Sequence, residues 1–142
     1  MKQALILAEQ SAELGEVPVG AVIVYQDEVI AKEYNRMRQS GDLTNHAEIL
    51  AIKKAMQLLQ TDRLNECDLY VTLEPCTMCA GAISLAKIRR VYYGAEDIKG
   101  GAVDNGVRFF NSNTCHHAPE VIAGIEGEKS AKMLRKFFAE RR

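Results

Sequence analysis

Short apolar segments rich in β-branched residues alternate with apolar stripes at helical spacing along the first two thirds of this chain. A Gln-Asp-Glu turn between two of the β-branched segments predicts a hairpin. The predicted elements are a helix at 3–14, hairpin strands at 19–25 and 29–34, a helix at 46–60, a strand at 67–73, a helix at 76–87 and a strand at 90–95. This alternation is typical of a layered α/β domain whose helices cover a buried sheet.

The remaining segments carry weaker signals. Residues 36–44 are polar and predict a loop, and residues 96–119, rich in Gly, Asn, Asp and His, predict a much longer one. A structureless stretch of that length is usually functional, so we expect it to lie over a site. A short strand at 121–125 and an amphipathic helix at 128–142 complete what we expect to be one domain over residues 1–142.

Composition and hydropathy exclude two classes of protein. The chain is 47% hydrophobic and 26% charged, which is typical of a folded globular domain and not of a disordered one. Its longest apolar run has nine residues and includes Pro18 and Gly20, whereas a bilayer span needs about 20. The N-terminal apolar run at 4–8 is too short for a secretory signal, so we expect a cytoplasmic protein without a membrane partner.

Charge is distributed unevenly along the chain. Residues 1–83 carry 7 Lys and Arg against 12 Asp and Glu, a net charge of −5. Residues 84–142 carry 11 against 7, a net charge of +4. A polyanion such as RNA is therefore expected to contact the second part, although the overall pI of 6.3 is acidic.

Two predicted helix starts carry metal-ligating side chains. One has the sequence Asn-His-Ala-Glu and includes His46, and the other has Pro-Cys-Thr-Met-Cys and includes Cys76 and Cys79. In a reducing compartment cysteines at this spacing indicate metal binding or burial more than disulfides. Pro75 suits the first helical position, and the positive end of the helix favours the thiolate that a metal requires. One imidazole and two thiolates suit one Zn²⁺ per chain.

Three protein ligands leave a coordination position for water, which is typical of catalytic zinc. Glu48, two residues after His46, is then the expected proton shuttle. The structural alternative makes Glu48 a partner of Asn45 in a helix capping box and the cysteines buried apolar residues. A noncatalytic zinc-stabilised RNA-binding module is a further alternative, in which Glu48 has no use.

Five stretches carry a resemblance to a known family: Glu-Val-Pro-Val-Gly-Ala-Val at 16–22, Tyr-Asn-Arg at 34–36, His-Ala-Glu at 46–48, Leu-Tyr-Val-Thr-Leu-Glu-Pro-Cys at 69–76 and Met-Cys-Ala-Gly-Ala at 78–82. On these motifs the chain resembles the zinc-dependent cytidine deaminase-like superfamily, and within it the bacterial tRNA adenosine deaminases. The resemblance implies a three-layer α/β/α fold with a five-stranded mixed sheet flanked by helices. It also implies a homodimer that converts adenosine to inosine at the wobble position of a tRNA anticodon loop.

Residue by residue, the resemblance implies that His46, Cys76 and Cys79 bind zinc and that Glu48 is the general acid/base. It further implies substrate contacts from four residues: Asn35, Ala47, Asp97 and Lys99. Turn geometry is the alternative explanation for Asn35, and a solvated surface turn explains the Asp-Ile-Lys-Gly-Gly sequence equally well.

The closing helix, with Phe137 and Phe138 followed by Arg141 and Arg142, resembles the family's helix near the anticodon arm. Core packing is the alternative role of the two phenylalanines.

The segment 102–124 departs from the family pattern and contains Cys115, His116 and His117. We favour a packed loop or a pocket rim over a second metal cluster, because adjacent loop residues converge poorly on one ion. Cys67, in an apolar strand, is expected in the core. The departure leaves open a second function, deamination of a free base or nucleoside such as guanine or cytosine.

Overall fold

The computed structural model describes residues 1–141 and contains one mixed five-stranded sheet. In chain order the elements are α1 (Lys2–Glu13), β1 (Gly20–Tyr25), β2 (Glu28–Tyr34), α2 (Met37–Ser40), α3 (Ala47–Leu59), β3 (Cys67–Leu73), α4 (Thr77–Leu85), β4 (Arg90–Ala95), a 3₁₀ turn (Phe109–Asn111), β5 (Glu120–Ile122) and α5 (Gly127–Ala139). The strand order is β2-β1-β3-β4-β5, with β1 antiparallel to both neighbours and β3, β4 and β5 parallel.

Helices cover both faces of this sheet. On one face a row of paired positions, including Ile23, Leu69 and Val91, is fully buried in a cluster with Ala51 of α3 and Ile83 of α4. On the other face α1 packs on β1 and β2, and α5 packs on β4 and β3. Because alternate side chains of a strand point to opposite faces, both faces need an apolar cover. The three-layer α/β/α fold predicted from the sequence is confirmed.

Gly20, the first residue of β1, permits a close approach of α1 to the sheet. A Cβ atom at this position would lie 2.0 Å from the carbonyl oxygen of Ala4 and 2.9 Å from the amide nitrogen of Ala8. Both neighbours are backbone atoms on the buried face of α1 and have no side-chain freedom with which to move aside. Glycine is therefore required where the first two elements meet.

The two segments predicted as loops contain more structure than expected. Residues 36–44 include α2, because the buried Glu16 carboxylate accepts hydrogen bonds from the amides of Arg38 and Gln39 in its first turn. Residues 96–119 include the 3₁₀ turn and a bridge between Cys76 and Gly101. α2 depends on a side chain more than 20 positions earlier in the chain, and the bridge depends on backbone 25 positions earlier, so local periodicity cannot reveal either.

The element boundaries also shift at the end of the chain. The last strand is Glu120–Ile122, not 121–125, and Gly127 is the first residue of α5. Arg142, which the sequence places in that helix, lies outside the described residues. None of the helices in residues 1–141 is long and apolar enough to cross a bilayer.

Replacing Gly20 by Ala is expected to lower the free energy of unfolding by about 2 kcal/mol or more, because overpacking against backbone cannot relax. Gly81→Ala in α4 is the control, since a Cβ there meets nothing within 4 Å. There alanine should raise stability by up to ~1 kcal/mol through helix propensity. Urea unfolding of both variants measures the difference, and equal stability of the two would contradict the close approach.

Candidate metal centre

Two helix starts bring the predicted metal ligands together. His46 is the N-cap residue of α3, and Cys76 is the N-cap residue of α4, which follows β3. Cys79 lies in the first turn of α4 and is fully buried. The predicted position of Pro75 is wrong by two places, because it precedes the cap and is not the first helical residue. The site lies beyond the carboxyl ends of parallel strands, where open α/β sheets bind their ligands.

The distances between the three side chains fit a tetrahedral zinc ion. The Nδ1 atom of His46 is 3.6 Å from the Sγ atom of Cys76 and 3.6 Å from that of Cys79. All three ligand atoms lie within 4.8 Å of one another. Zinc bonds of about 2.0–2.1 Å to nitrogen and 2.3 Å to sulfur, at tetrahedral angles, place nitrogen and sulfur about 3.6 Å apart. The donor set and its spacing therefore match the predicted cofactor.

The electrostatics of the centre favour a bound cation. The hydrogen bond with the Cys79 thiol, assisted by His46, lowers the pKa of Cys76 to about 4 despite partial burial. The same hydrogen bond, together with burial and the charge of Glu48, raises the pKa of Cys79 far above its usual value. Without a cation only one of the two thiols can ionise easily. The charge of a divalent cation stabilises both thiolates at once.

Glu48 is buried beside the ligands, and its capping alternative is wrong. The N-cap residue of α3 is His46, not Asn45, and its side chain makes no capping hydrogen bond. The side-chain nitrogen of Asn45 instead donates to the Ser40 hydroxyl. Burial raises the pKa of Glu48 to about 7. The carboxyl group therefore lies in an environment suited to holding and releasing a proton near neutral pH.

Asn35 links three segments at the edge of the site. Its side-chain nitrogen donates to the Val17 carbonyl at 3.0 Å, and its side-chain oxygen accepts from the Ala47 amide at 2.9 Å. That amide is one of the unpaired donors at the start of α3, so Asn35 caps the helix from a distant strand end. The turn explanation for Asn35 does not describe these contacts, and the substrate roles of Asn35 and Ala47 stay predictions.

The other two predicted substrate residues, Asp97 and the exposed Lys99, follow β4. They line a cavity of about 850 Å³, and the residues that line it are here called the rim. Phe138, 46% exposed, and Arg141 of the C-terminal segment line the same cavity. Phe137 is in contrast buried, so core packing explains only one of the two phenylalanines.

Cys115 and the neighbouring histidines belong to a packed loop. The Cys115 thiol is 3.5 Å from the Ser84 hydroxyl, and Nε2 of His117 is 2.7 Å from the Ile88 carbonyl oxygen. His116 is exposed. Within residues 1–141 only His46, Cys76 and Cys79 form a group of three or more His, Cys, Asp or Glu that could hold a metal. Cys67 is buried, as expected.

Sequence reasoning missed Glu74, the residue before Pro75. It is 2% exposed and its carboxylate accepts hydrogen bonds from the segment after β4. An acidic residue at the end of an apolar strand is the signal that could have indicated a buried acceptor.

Comparison with known proteins identifies relatives of the whole chain. Residues 1–95 match the family model of the cytidine and deoxycytidylate deaminase zinc-binding region. A tRNA-specific adenosine deaminase of Agrobacterium fabrum (strain C58) is 56% identical over 142 residues, which cover 100% of this chain and 93% of that protein.

Two solved structures add to this comparison. One, from a study of A-to-I editing by tRNA:A34 deaminases at the wobble position of transfer RNA, is 56% identical with a TM-score of 0.93, and the match covers 94% of this chain and 97% of that one. A guanine deaminase of Bacillus subtilis is 31% identical with a TM-score of 0.64, and the match covers 99% and 90%.

Metal analysis of the purified protein should show about one zinc per chain, and Cys79→Ser should lose it because two ligands hold zinc weakly. Cys115→Ser is the matched control and should keep full zinc content. Chelation should lower the melting temperature, since ligated and folded states are coupled. A full complement of zinc in the Cys76→Ser/Cys79→Ser double variant would contradict the assignment.

Proposed function

Because the chain belongs to the family of the cytidine and deoxycytidylate deaminase zinc-binding region, we propose that it is a zinc-dependent hydrolase that converts adenosine to inosine at the wobble position of a tRNA anticodon loop. The observation that carries the substrate is the 56% identity to a tRNA-specific adenosine deaminase along the entire chain. His46, Cys76 and Cys79 hold the zinc in this proposal.

Hydrolytic deamination adds water at C6 of adenine and releases ammonia. Zinc with three protein ligands supplies an open position at which water is acidified. Glu48 accepts the proton that the attacking water loses and passes it to the leaving amine. Burial of Glu48 beside His46 supports this role, because a general acid/base works best with a pKa near the operating pH.

Asn35 is proposed to orient the purine. A side-chain amide offers two N–H donors and two acceptor lone pairs, of which Val17 and Ala47 use one of each. One donor and one acceptor stay free to hydrogen-bond the edge of a base. The two contacts to the protein fix the amide plane, so the free groups point in set directions.

The rim is proposed to bind the anticodon arm. Lys99 and Arg141 place positive charge in the lining of the 850 Å³ cavity, while the half-exposed Phe138 offers an aromatic side chain for stacking. Cations that contact phosphates together with aromatic faces are typical of binding to single-stranded RNA.

We also propose a cytoplasmic homodimer, with residues 1–142 of each protomer acting as one deaminase domain. The exposed Leu58 of α3 and Leu85 of α4 support association, being 61% and 81% exposed. The four free thiols agree with a reducing compartment.

The alternative function is deamination of a free base, which the similarity to a guanine deaminase supports at lower identity. The deciding experiment incubates the protein with an anticodon stem-loop carrying adenosine at the wobble position, and separately with guanine and cytosine. Inosine in the stem-loop is the expected product. Turnover of a free base without turnover of the stem-loop would replace the proposal by the alternative.

Glu48→Gln should reduce kcat by about 10² to 10⁴ while zinc content and melting temperature stay near those of the parent, because the amide fills the same space but cannot move a proton. Turnover and metal analysis on the same preparation measure the two effects. A variant with parental turnover would refute proton transfer by Glu48 and leave this residue a structural role.

Lys99→Ala/Arg141→Ala should weaken stem-loop binding and reduce its salt dependence, by about 0.7 in the slope of log K against log salt for each lost phosphate contact. The double variant Lys32→Ala/Arg63→Ala removes the same charge from exposed positions elsewhere. It should keep the parental slope, so equal slopes for the two double variants would refute rim binding.

A further inference from the structure

Glu74 holds the segment after β4 with an unusual number of hydrogen bonds. Its carboxylate accepts from the backbone amides of Asp97, Val103, Asp104 and Asn105 at 2.9–3.1 Å, and from the Asn105 side chain at 2.7 Å. No Lys, Arg or His of residues 1–141 forms an ion pair with it. The negative charge is therefore balanced by the dipoles of four peptide groups and one side-chain amide.

These contacts satisfy backbone amides that a neighbouring strand would satisfy elsewhere in the fold. Residues 97–105, here called the strap, contain no helix or strand. The amides of Gly100 and Gly101 find acceptors on Asp97 within the strap, whereas those of Asp97, Val103, Asp104 and Asn105 take the Glu74 carboxylate from outside it. Although burial raises the pKa of Glu74, the hydrogen bonds hold it below its ordinary value. Charge-assisted hydrogen bonds of this kind are roughly twice as strong as neutral ones.

The strap is also fixed to the start of α4, directly beside a metal ligand. The Ala102 amide donates to the Pro75 carbonyl at 2.9 Å, and Gly101 forms the bridge with Cys76. A Cβ atom on Gly101 would lie 2.5 Å from Cδ of Glu74. Three consecutive residues, from Glu74 to Cys76, thus contact one short stretch of the strap, and the strap cannot shift without disturbing them.

The first residues of the strap belong to the rim. Asp97, Lys99 and Gly100 line the 850 Å³ cavity together with Phe138. We infer that Glu74 is a positioning residue, which fixes the strap so that the cavity wall keeps the shape needed to bind the RNA. The inference rests on the proposed function, and it assigns to Glu74 an effect on substrate binding, not on proton transfer.

Glu74→Gln tests this inference, because the amide keeps the volume but turns a donor towards the strap amides. We expect parental zinc content and a kcat within about threefold of the parent. The KM for the stem-loop should rise about tenfold or more, since contacts made equally in ground and transition states appear in KM. Hydrogen exchange should accelerate at the amides of Asp97, Val103, Asp104 and Asn105.

Asp68→Asn is the matched control for lost stability. Asp68 is a buried carboxylate near the other end of β3, about 20 Å away along the strand, where it accepts two hydrogen bonds from Arg89. Its variant should lose stability but keep the parental KM. Equal KM values for the two variants, measured where both are folded, would overturn the inference, as would unchanged exchange of the strap amides in Glu74→Gln.

Asn105→Ala keeps the test decisive if Glu74→Gln fails to fold. It removes one of the five hydrogen bonds and leaves the carboxylate in place, so KM should rise by about twofold to fivefold with kcat unchanged. An unchanged KM would overturn the inference. A parent protein that does not deaminate the stem-loop would instead refute the proposed function, whereas an active parent with a KM insensitive to both variants refutes only the role of Glu74.

Discussion

Three side chains from two separate helix starts must meet within the coordination shell of one ion, and the rest of the fold follows from this requirement. The parallel pair β3 and β4 places the start of α4 at the carboxyl edge of the sheet, and β1 lies alongside so that β2 can deliver Asn35 to the start of α3. His46 and Cys76 are both N-cap residues, so their side chains project from the helix ends and not from the helix faces. Glu48, the second residue of α3, then lies close to all three of these side chains.

Much of this could be predicted from the sequence, because the information is local. The strands at 67–73 and 90–95 have the predicted bounds, and the metal ligands are separated by spacings that only a few kinds of site use. Other features depend on contacts across the chain. α3 begins one residue later than predicted, where Asn35 accepts a hydrogen bond from its first amide. α2 was not predicted, because the side chain that holds its first turn is Glu16, far earlier in the chain. The partners of Glu74 lie 23–31 residues downstream, in a segment without periodicity.

Two of the buried carboxylates, those of Glu16 and Glu74, share a pattern of contacts that bears on recognition. Glu16 and Glu74 each bind the backbone of a segment flanking the site, and within residues 1–141 neither forms an ion pair with a cationic side chain. Both segments are thereby ordered without drawing lysine or arginine inward. The cations of the second half of the chain stay at the surface, where a phosphate backbone can reach them.

The spacing of the ligands gives the metal centre a second consequence, in chain entropy. His46 and Cys76 are 30 positions apart, and the intervening chain forms a complete helix and strand. An ion that joins them is a reversible cross-link closing a loop of that length. For as long as the ion stays bound to an unfolding chain, the loop-closure relation used for disulfides gives a loss of about 3–4 kcal/mol of conformational freedom in that chain. The cofactor thus cross-links a chain without disulfides, as disulfides cross-link secreted domains. Unlike a disulfide, this cross-link is lost whenever the ion leaves.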